Sequence, residues 1–301
     1  MIERAVFSYF NSKESFTNKC GFRKFEDFLY TTALAVVMAT KHFPQVQMMS
    51  SKWGVDIFRE CGLPVTEFSE ELEKIKHIPQ PFWAYGKLVA YTSQKEPFIH
   101  VDNDVFIWKP LPRRILEAEL CFQSKEFMHL SGYKWYDVLK PCWRAAPVRP
   151  QIIVDNEVTD FAYNCGICGG HNLEFFQEWR RCSEQYIFAE KNQPLFFKRY
   201  KTILIHQNLF HEQYFAASLI KAHKMRGDVE VIADNIQDIQ PVTNDGYTHM
   251  WGTTKEDPLM MRRVQHRLKK ENPEVFVRIL RFVENNIKKQ KICRNIVSGG
   301  N

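Results

Sequence analysis

Apolar residues along the chain fall into short runs that alternate with longer stretches of helical spacing, the pattern of a layered α/β sheet. Residues 5–10 predict a first strand, and 24–41 carry apolar residues at the spacing of a helix. A strand over 46–50, a short helix over 54–61 and a strand over 65–68 follow, the last after the Gly62-Leu63-Pro64 turn. Helical spacing returns over 70–75 and 82–93. Pro97-Phe98-Ile99-His100-Val101 then fits an interior strand buried on both faces. It ends at Asp102-Asn103-Asp104, and the carboxyl ends of buried strands are where open α/β sheets bind ligands.

The second half is less regular. Residues 120–124 and 166–169 read as strands or strand edges, 173–186 and 211–222 as helices, and 229–232 as a late strand. The Gly-, Thr- and Asn-rich stretch 244–255 reads as a loop. Pro258 suits the first turn of a basic helix, Pro273 interrupts it, and 273–289 resumes it. The expected organisation is a mixed sheet flanked by helices over 1–257 and a basic helical extension over 258–297, with 298–301 disordered.

With 45% hydrophobic and 25% charged residues, the chain has a globular composition, which argues against a disordered or fibrous protein. Its net charge of +6 is uneven, with ten of the 41 basic residues falling within 261–291. Such an end can meet anionic lipid or an acidic partner, although a solvated helix face is the plainer reading; nucleic acid is not expected. No apolar run reaches the roughly 18–20 residues that span a bilayer. The beginning of the chain does not read as a signal peptide, so a cytoplasmic protein is expected, its basic end suited to peripheral contact with the inner face of the membrane. Eight scattered cysteines are then expected as free thiols. Cys165-Gly-Ile-Cys168 has redox or zinc spacing, but no second pair accompanies it, and its flanks read as a loop opening a helix.

Asp102 and Asp104 are two apart, so on extended backbone they point to one side. Two adjacent carboxylates repel unless a cation lies between them, and hard oxygen ligands suit Mg²⁺ or Mn²⁺, which also bind diphosphate. A neutral His249 can complete such a site. Three residues on, Gly252 permits close approach of backbone to phosphate, and after three more Lys255 supplies a cation for its oxygens.

In this order the motifs resemble those of GT-A glycosyltransferases, especially the retaining glycogenin and lipopolysaccharide galactosyltransferase type. The elements are Asp102-Asn-Asp104, then Asn164-Cys-Gly166-Ile-Cys-Gly169-Gly170, then Glu212-Gln213, then His249 to Lys255, and the resemblance covers about residues 4–257. Two positions depart from the family pattern: Glu256-Asp257 stands where Pro-Trp usually follows the lysine, and Glu212 where Asp is usual. The resemblance implies a GT-A (Rossmann-like) fold and metal-dependent transfer of a sugar from a nucleoside diphosphate donor, expected to be a UDP-sugar, to an acceptor hydroxyl with retention. The acceptor would be a glycan, a glycolipid or a protein. It also implies that Asp102, Asp104 and His249 hold the metal. Ser8 to Asn11 should touch base and ribose, and Lys87 should reach the donor sugar or diphosphate. Asn164 and Gly166 should line the sugar pocket, Gly252 and Lys255 should meet phosphate, and Glu212 and Gln213 should lie near the anomeric carbon. If the reaction inverts instead, Glu212 is a plausible general base. Trp135, Tyr136 and Trp143, in the poorly patterned stretch 130–156, either shape the acceptor cleft or pack in the core.

Two rival readings fit the sequence less well. A nucleotidyltransferase should carry a Gly-rich, Lys- or Arg-bearing loop after the first strand, and Phe10-Asn11-Ser12-Lys13 has no such glycines. A non-catalytic scaffold acting through the basic C-terminal helices would not need the Asp102, Asp104, His249 and Lys255 set.

Overall fold

Five of the six residues of strand β1 (Arg4–Tyr9) are buried, as an interior strand covered on both faces requires. The structure is a computed structural model and describes residues 1–128, 135–234 and 246–288. After β1 come α1 (Phe25–Ala39), β2 (Gln45–Ser50), α2 (Lys52–Glu60) and β3 (Glu67–Ser69). Ser51 caps α2 by accepting from the Gly54 N–H at 3.4 Å. Two 3₁₀ turns lead to α3 (Ala84–Thr92), followed by β4 (Phe98–Val101), β5 (Val105–Ile107), α4 (Arg113–Leu116) and β6 (Leu120–Phe127). Next are α5 (Trp135–Ala145), α6 (Gln151–Asp155), β7 (Phe161–Gly170) and α7 (Leu173–Ile187). The short α8 (Gln207–Leu209) continues through a π turn, Phe210–Tyr214, into α9 (Phe215–Ala222). Then come β8 (Val229–Ala233), β9 (Tyr247–His249), the 3₁₀ turn Gly252–Glu256, α10 (Pro258–Glu271) and α11 (Pro273–Phe282).

Among the described residues, seven strands form one sheet in the order β3-β2-β1-β4-β7-β6-β8. The first four run parallel, β7 runs antiparallel to both β4 and β6, and β8 is parallel to β6. From β1 the chain first moves outward to β2 and β3, then returns to place β4 on the other side of β1. Strand order therefore reverses between β1 and β4, which opens a crevice at their carboxyl ends. A second, two-stranded sheet pairs β5 with β9 antiparallel and sets His249 opposite Val105. The α/β architecture, a mixed sheet flanked by helices, is the one expected.

The local differences have physical causes. The stretch read as a loop over 244–255 contains β9 and a 3₁₀ turn, while 244–245 lie outside the described residues. A three-residue strand is too short to show alternation, and only its pairing with β5 reveals it. The flanks of the Cys165–Cys168 pair, Tyr163-Asn164 and Gly169-Gly170, are not a loop opening a helix: they lie with both buried cysteines within β7. Burial pushes the Cys165 thiol well above its ordinary value. All cysteines among the described residues are free.

Helices α10 and α11 are capped by Asp257 and Asn272, each just before a proline at the first helical position. The first buries Met261, Val264 and Leu268, the second Val275, Ile279 and Phe282. These residues join the same hydrophobic cluster as β1, β2 and α1. With the sheet on one side and α10 on the other, fourteen of the fifteen residues of α1 are buried. No helix among the described residues is long and apolar enough to cross a membrane.

Candidate active site

β4 ends at Val101, and its neighbour β7 holds the exit of the strand through Asp102 N–H, which donates to Gly166 O at 3.0 Å. Asp102 and Asp104 thus project where the crevice opens. β9 brings His249 to the same place, because Met250 N–H donates to Asp104 O at 2.9 Å directly after the β5–β9 pairing. One ligand atom from each of Asp102, Asp104 and His249 falls within 4.8 Å of the other two. Two carboxylates and an imidazole at this spacing are a donor set that suits Mg²⁺ or Mn²⁺.

Two lysines flank the group, Lys87 buried and Lys255 partly buried. Lys255 Nζ lies 2.5 Å from Asp104 Oδ2, and His249 Nε2 lies 3.5 Å from Asp104 Oδ1. Burial works to raise the Asp104 carboxyl, but the Lys255 ammonium beside it outweighs burial and holds the group well below the usual carboxylate range. Lys87, on α3, sits between two acids, 2.7 Å from Asp102 Oδ1 and 2.9 Å from Glu212 Oε1. Burial wins at the other two carboxyls: Asp102 is raised despite Lys87, and Glu212 is pushed up to about 7. The two aspartates are therefore driven in opposite directions.

These groups face a cavity of about 580 Å³, the size of a small-molecule site. Its apolar walls include Tyr9, Phe10, Phe22, Trp83 and Trp251. Ser8 lines it from the end of β1, with its Oγ 2.8 Å from His100 Nε2 and its carbonyl accepting from Asn103 Nδ2 at 2.7 Å. Asn164, Gly166, Glu212 and Gln213 also line it. Asn164 Nδ2 donates to the buried Glu126 Oε1 at 2.6 Å, and Tyr136 O–H donates to Gln213 Oε1 at 2.9 Å.

A family profile described as a family of unknown function (DUF6734) matches residues 4–282. The chain belongs to DUF6734. No curated protein matches it. Among solved structures, the DUF6734 chain is similar to the apo form of the glycosyltransferase GlyE of Streptococcus pneumoniae TIGR4, with 10% identity and a TM-score of 0.41. That match covers 95% of this chain but 64% of GlyE, so the chain spans less than two thirds of that relative. It is similar to the inositol-1-phosphate CTP transferase from T. maritima, with 11% identity and a TM-score of 0.38 over 88% of this chain and 96% of the other. A third likeness is to the galactosyltransferase LgtC in complex with donor and acceptor sugar analogues, with 13% identity and a TM-score of 0.35 over 83% and 87%. Likenesses this distant decide neither activity nor substrate, and the functional reading of the DUF6734 chain rests on its own site.

Not every residue singled out in the sequence reaches the cavity. Asn11 is buried but turned into its own loop, donating to Tyr9 Oη and to Ser15 O at 3.1 Å each, and it does not line the cavity. Gly252 is also absent from the lining. It has φ of +56°, a backbone conformation that favours glycine, and an added Cβ would meet no protein atom within 4 Å. Glu212 and Gln213 lie in the π turn ahead of α9, not at a helix start. Trp143 is a core residue packed against Tyr186, Phe210 and Phe215, and residues 130–134 lie outside the described residues.

The sequence reading missed Gln123, Glu126 and His100 in the DUF6734 chain. All three are buried polar residues on β4 or β6 that contact residues of the site. Their signal was present: a glutamine directly after the apolar Leu120-Cys121-Phe122, and a histidine inside Phe98–Val101. A buried polar group must be paired, so its place in an apolar strand asks what it pairs with.

Proposed function

We propose that this protein is a metal-dependent glycosyltransferase that moves a sugar from a nucleoside diphosphate donor, a UDP-sugar in the first instance, to the hydroxyl of a glycan, glycolipid or protein acceptor. The observation that carries the reading is the meeting of Asp102, Asp104 and His249 within 4.8 Å at the rim of a cavity that Lys87 and Lys255 also line. The ordered motifs from Asp102 to Lys255 support it. A divalent cation held by the three ligands would supply Lewis-acid neutralisation of the departing diphosphate.

The chain's own residues do the rest. Lys255 offers its ammonium to phosphate oxygens and exchanges Asp104 for them when the ligand arrives. Ser8 meets the nucleoside at the end of β1, and the aromatic walls give the base apolar faces. Asn164 and Gln213, held by Glu126 and Tyr136, orient the sugar. Lys87 keeps Glu212 oriented at the reacting centre. With retention, Glu212 and Gln213 stabilise charge at the anomeric carbon, and no side chain need be a nucleophile.

One observation favours a second stereochemical reading. Burial pushes Glu212 up to about 7, near the value of an effective general base, so an inverting enzyme would use Glu212 to take the acceptor proton. The proton NMR spectrum of freshly formed product decides between the two.

The test of the main reading is calorimetric titration of UDP, GDP and CDP, each with Mn²⁺ and with EDTA. Metal-dependent binding of one nucleotide is expected and names the donor class. Failure of all three to bind would sink the reading and favour the scaffold.

A further inference from the structure

The amide of Gln123 holds His249 by the nitrogen opposite the one that faces Asp104. Gln123 is fully buried on β6, and its Oε1 lies 2.6 Å from His249 Nδ1 and 2.7 Å from the Tyr247 hydroxyl. An amide oxygen only accepts, so both neighbours donate to it: Tyr247 through O–H and His249 through Nδ1–H. With its proton on Nδ1, a neutral imidazole carries a bare lone pair on Nε2. Nε2 is the nitrogen 3.5 Å from Asp104 Oδ1. This is the tautomer that a ligand through Nε2 needs, and ligating histidines characteristically donate the other ring N–H to such an oxygen.

The surrounding strands are arranged around this contact. The β6–β7 pairing is irregular between Phe122 and Ser124, at Gln123 itself, and bulges beside sites re-aim side chains. Across from it stands Gly166, where an added Cβ would lie 2.0 Å from Gln123 Oε1 and 2.6 Å from His249 Nδ1. Any side chain at 166 would push the pair apart. Tyr247 and His249 are two apart on β9 and so reach the same oxygen from one face. Turning the amide over would set its N–H against Nδ1, move the imidazole proton to Nε2 and occupy the ligand position.

We propose that Gln123 is a positioning residue that fixes His249 in its Nδ1–H tautomer and so presents Nε2 to a divalent cation. The inference rests on the metal-site reading above, but the tautomer is measured in metal-free protein and is judged independently of it.

The experiment is a long-range ¹H–¹⁵N correlation on full-length, histidine-labelled protein, with His249 assigned by its loss in His249→Gln, together with Mn²⁺ titration followed by electron paramagnetic resonance. Wild type is expected to show Nδ1–H and bare Nε2. Gln123→Leu should mix or reverse the tautomer and weaken Mn²⁺ by about 10–100-fold. Gln123→Glu, whose ionised carboxylate can only accept, should keep Nδ1–H and bind Mn²⁺ at least as tightly as wild type. Nε2–H in wild type, or an unchanged tautomer and affinity in Gln123→Leu, would overturn the proposal. Should Gln123→Leu fail to fold, the wild-type and Gln123→Glu spectra still decide, since Nε2–H in either overturns it. Wild type with Nδ1–H but without Mn²⁺ binding would sink the metal reading and leave the placement of the imidazole supported.

Discussion

Lys87 Nζ lies 2.9 Å from Glu212 Oε1, and both side chains are almost wholly buried, at 10% and 2% exposure. The same ammonium touches Asp102 at 2.7 Å, so one cation serves two acids. Removing the cation strands both carboxylates, whereas removing the acid leaves the lysine with a partner. Lys87→Met should therefore cost about 3–5 kcal/mol, the price of breaking a buried pair from one side. Glu212→Gln should cost about 1–2 kcal/mol, in the range of one impaired hydrogen bond to a charge. In the double variant the penalties should be less than additive, which urea titration of all four proteins would reveal.

Asp102→Asn and Asp104→Asn each remove one negative charge from a site that already contains two lysines. Asp102→Asn leaves Lys87 with Glu212, whereas Asp104→Asn takes the carboxylate partner of Lys255, so unfolding should remain cooperative in both, with Tm close to wild type in the first and lowered in the second. Mn²⁺-dependent nucleotide binding and turnover should be lost in both. Full activity in either variant would refute the metal assignment.

Much of this arrangement was legible in the sequence, for a physical reason. A strand buried on both faces reads as a near-continuous apolar run, so Phe98–Val101, apolar but for His100, and the carboxylates at its end stood out. The carboxyl end of such a strand is where charge can be held, so Asp102 and Asp104 followed from the pattern. What did not follow depends on pairing between distant segments. Gln123 and His249 are 126 residues apart, and their contact exists because β7 bulges opposite Gln123 of β6 while β9 pairs with β5. Gly166 shows the same limit. Its motif suggested closeness to a sugar, yet the atoms an added Cβ would strike belong to Gln123 and His249.

Gly166 and Gly252 should therefore respond differently to alanine. Gly166→Ala forces Gln123 and His249 apart and should cost about 1–3 kcal/mol through overpacking. It should also weaken Mn²⁺ binding. Gly252→Ala meets open space, so its cost is the left-handed backbone alone, about 1–2 kcal/mol. Its Mn²⁺ affinity should match wild type. Equal affinity loss in the two variants would refute the distinction.

Truncation after Asp257 should not yield a well-behaved domain. It uncovers the face of α1 on which Met261, Val264 and Leu268 pack. Full burial of one such side chain contributes about 1.5–3 kcal/mol, and several are lost together. The truncated protein is expected to be insoluble or to unfold without cooperativity. A soluble, cooperatively unfolding product with wild-type Tm would show that α10 and α11 are dispensable for the core.

The pH dependence of stability should carry the signature of His211. Its side chain is fully buried, with Nε2 3.3 Å from Asn208 Oδ1, and burial lowers it to about 3. In the unfolded chain it titrates near its ordinary value of about 6.5. Between these two values the unfolded chain binds a proton that the folded protein refuses, so stability rises with pH across that window. Its contribution is complete above about pH 6.5 and falls away in acid at up to about 1.4 kcal/mol per pH unit. Other buried groups add their own slopes, so the measurement is a difference: urea unfolding of wild type and His211→Gln at steps from pH 7 to pH 4. The variant should have the shallower profile, by close to one proton's worth in the middle of the window. Parallel profiles would mean that His211 is protonated to the same extent in both states.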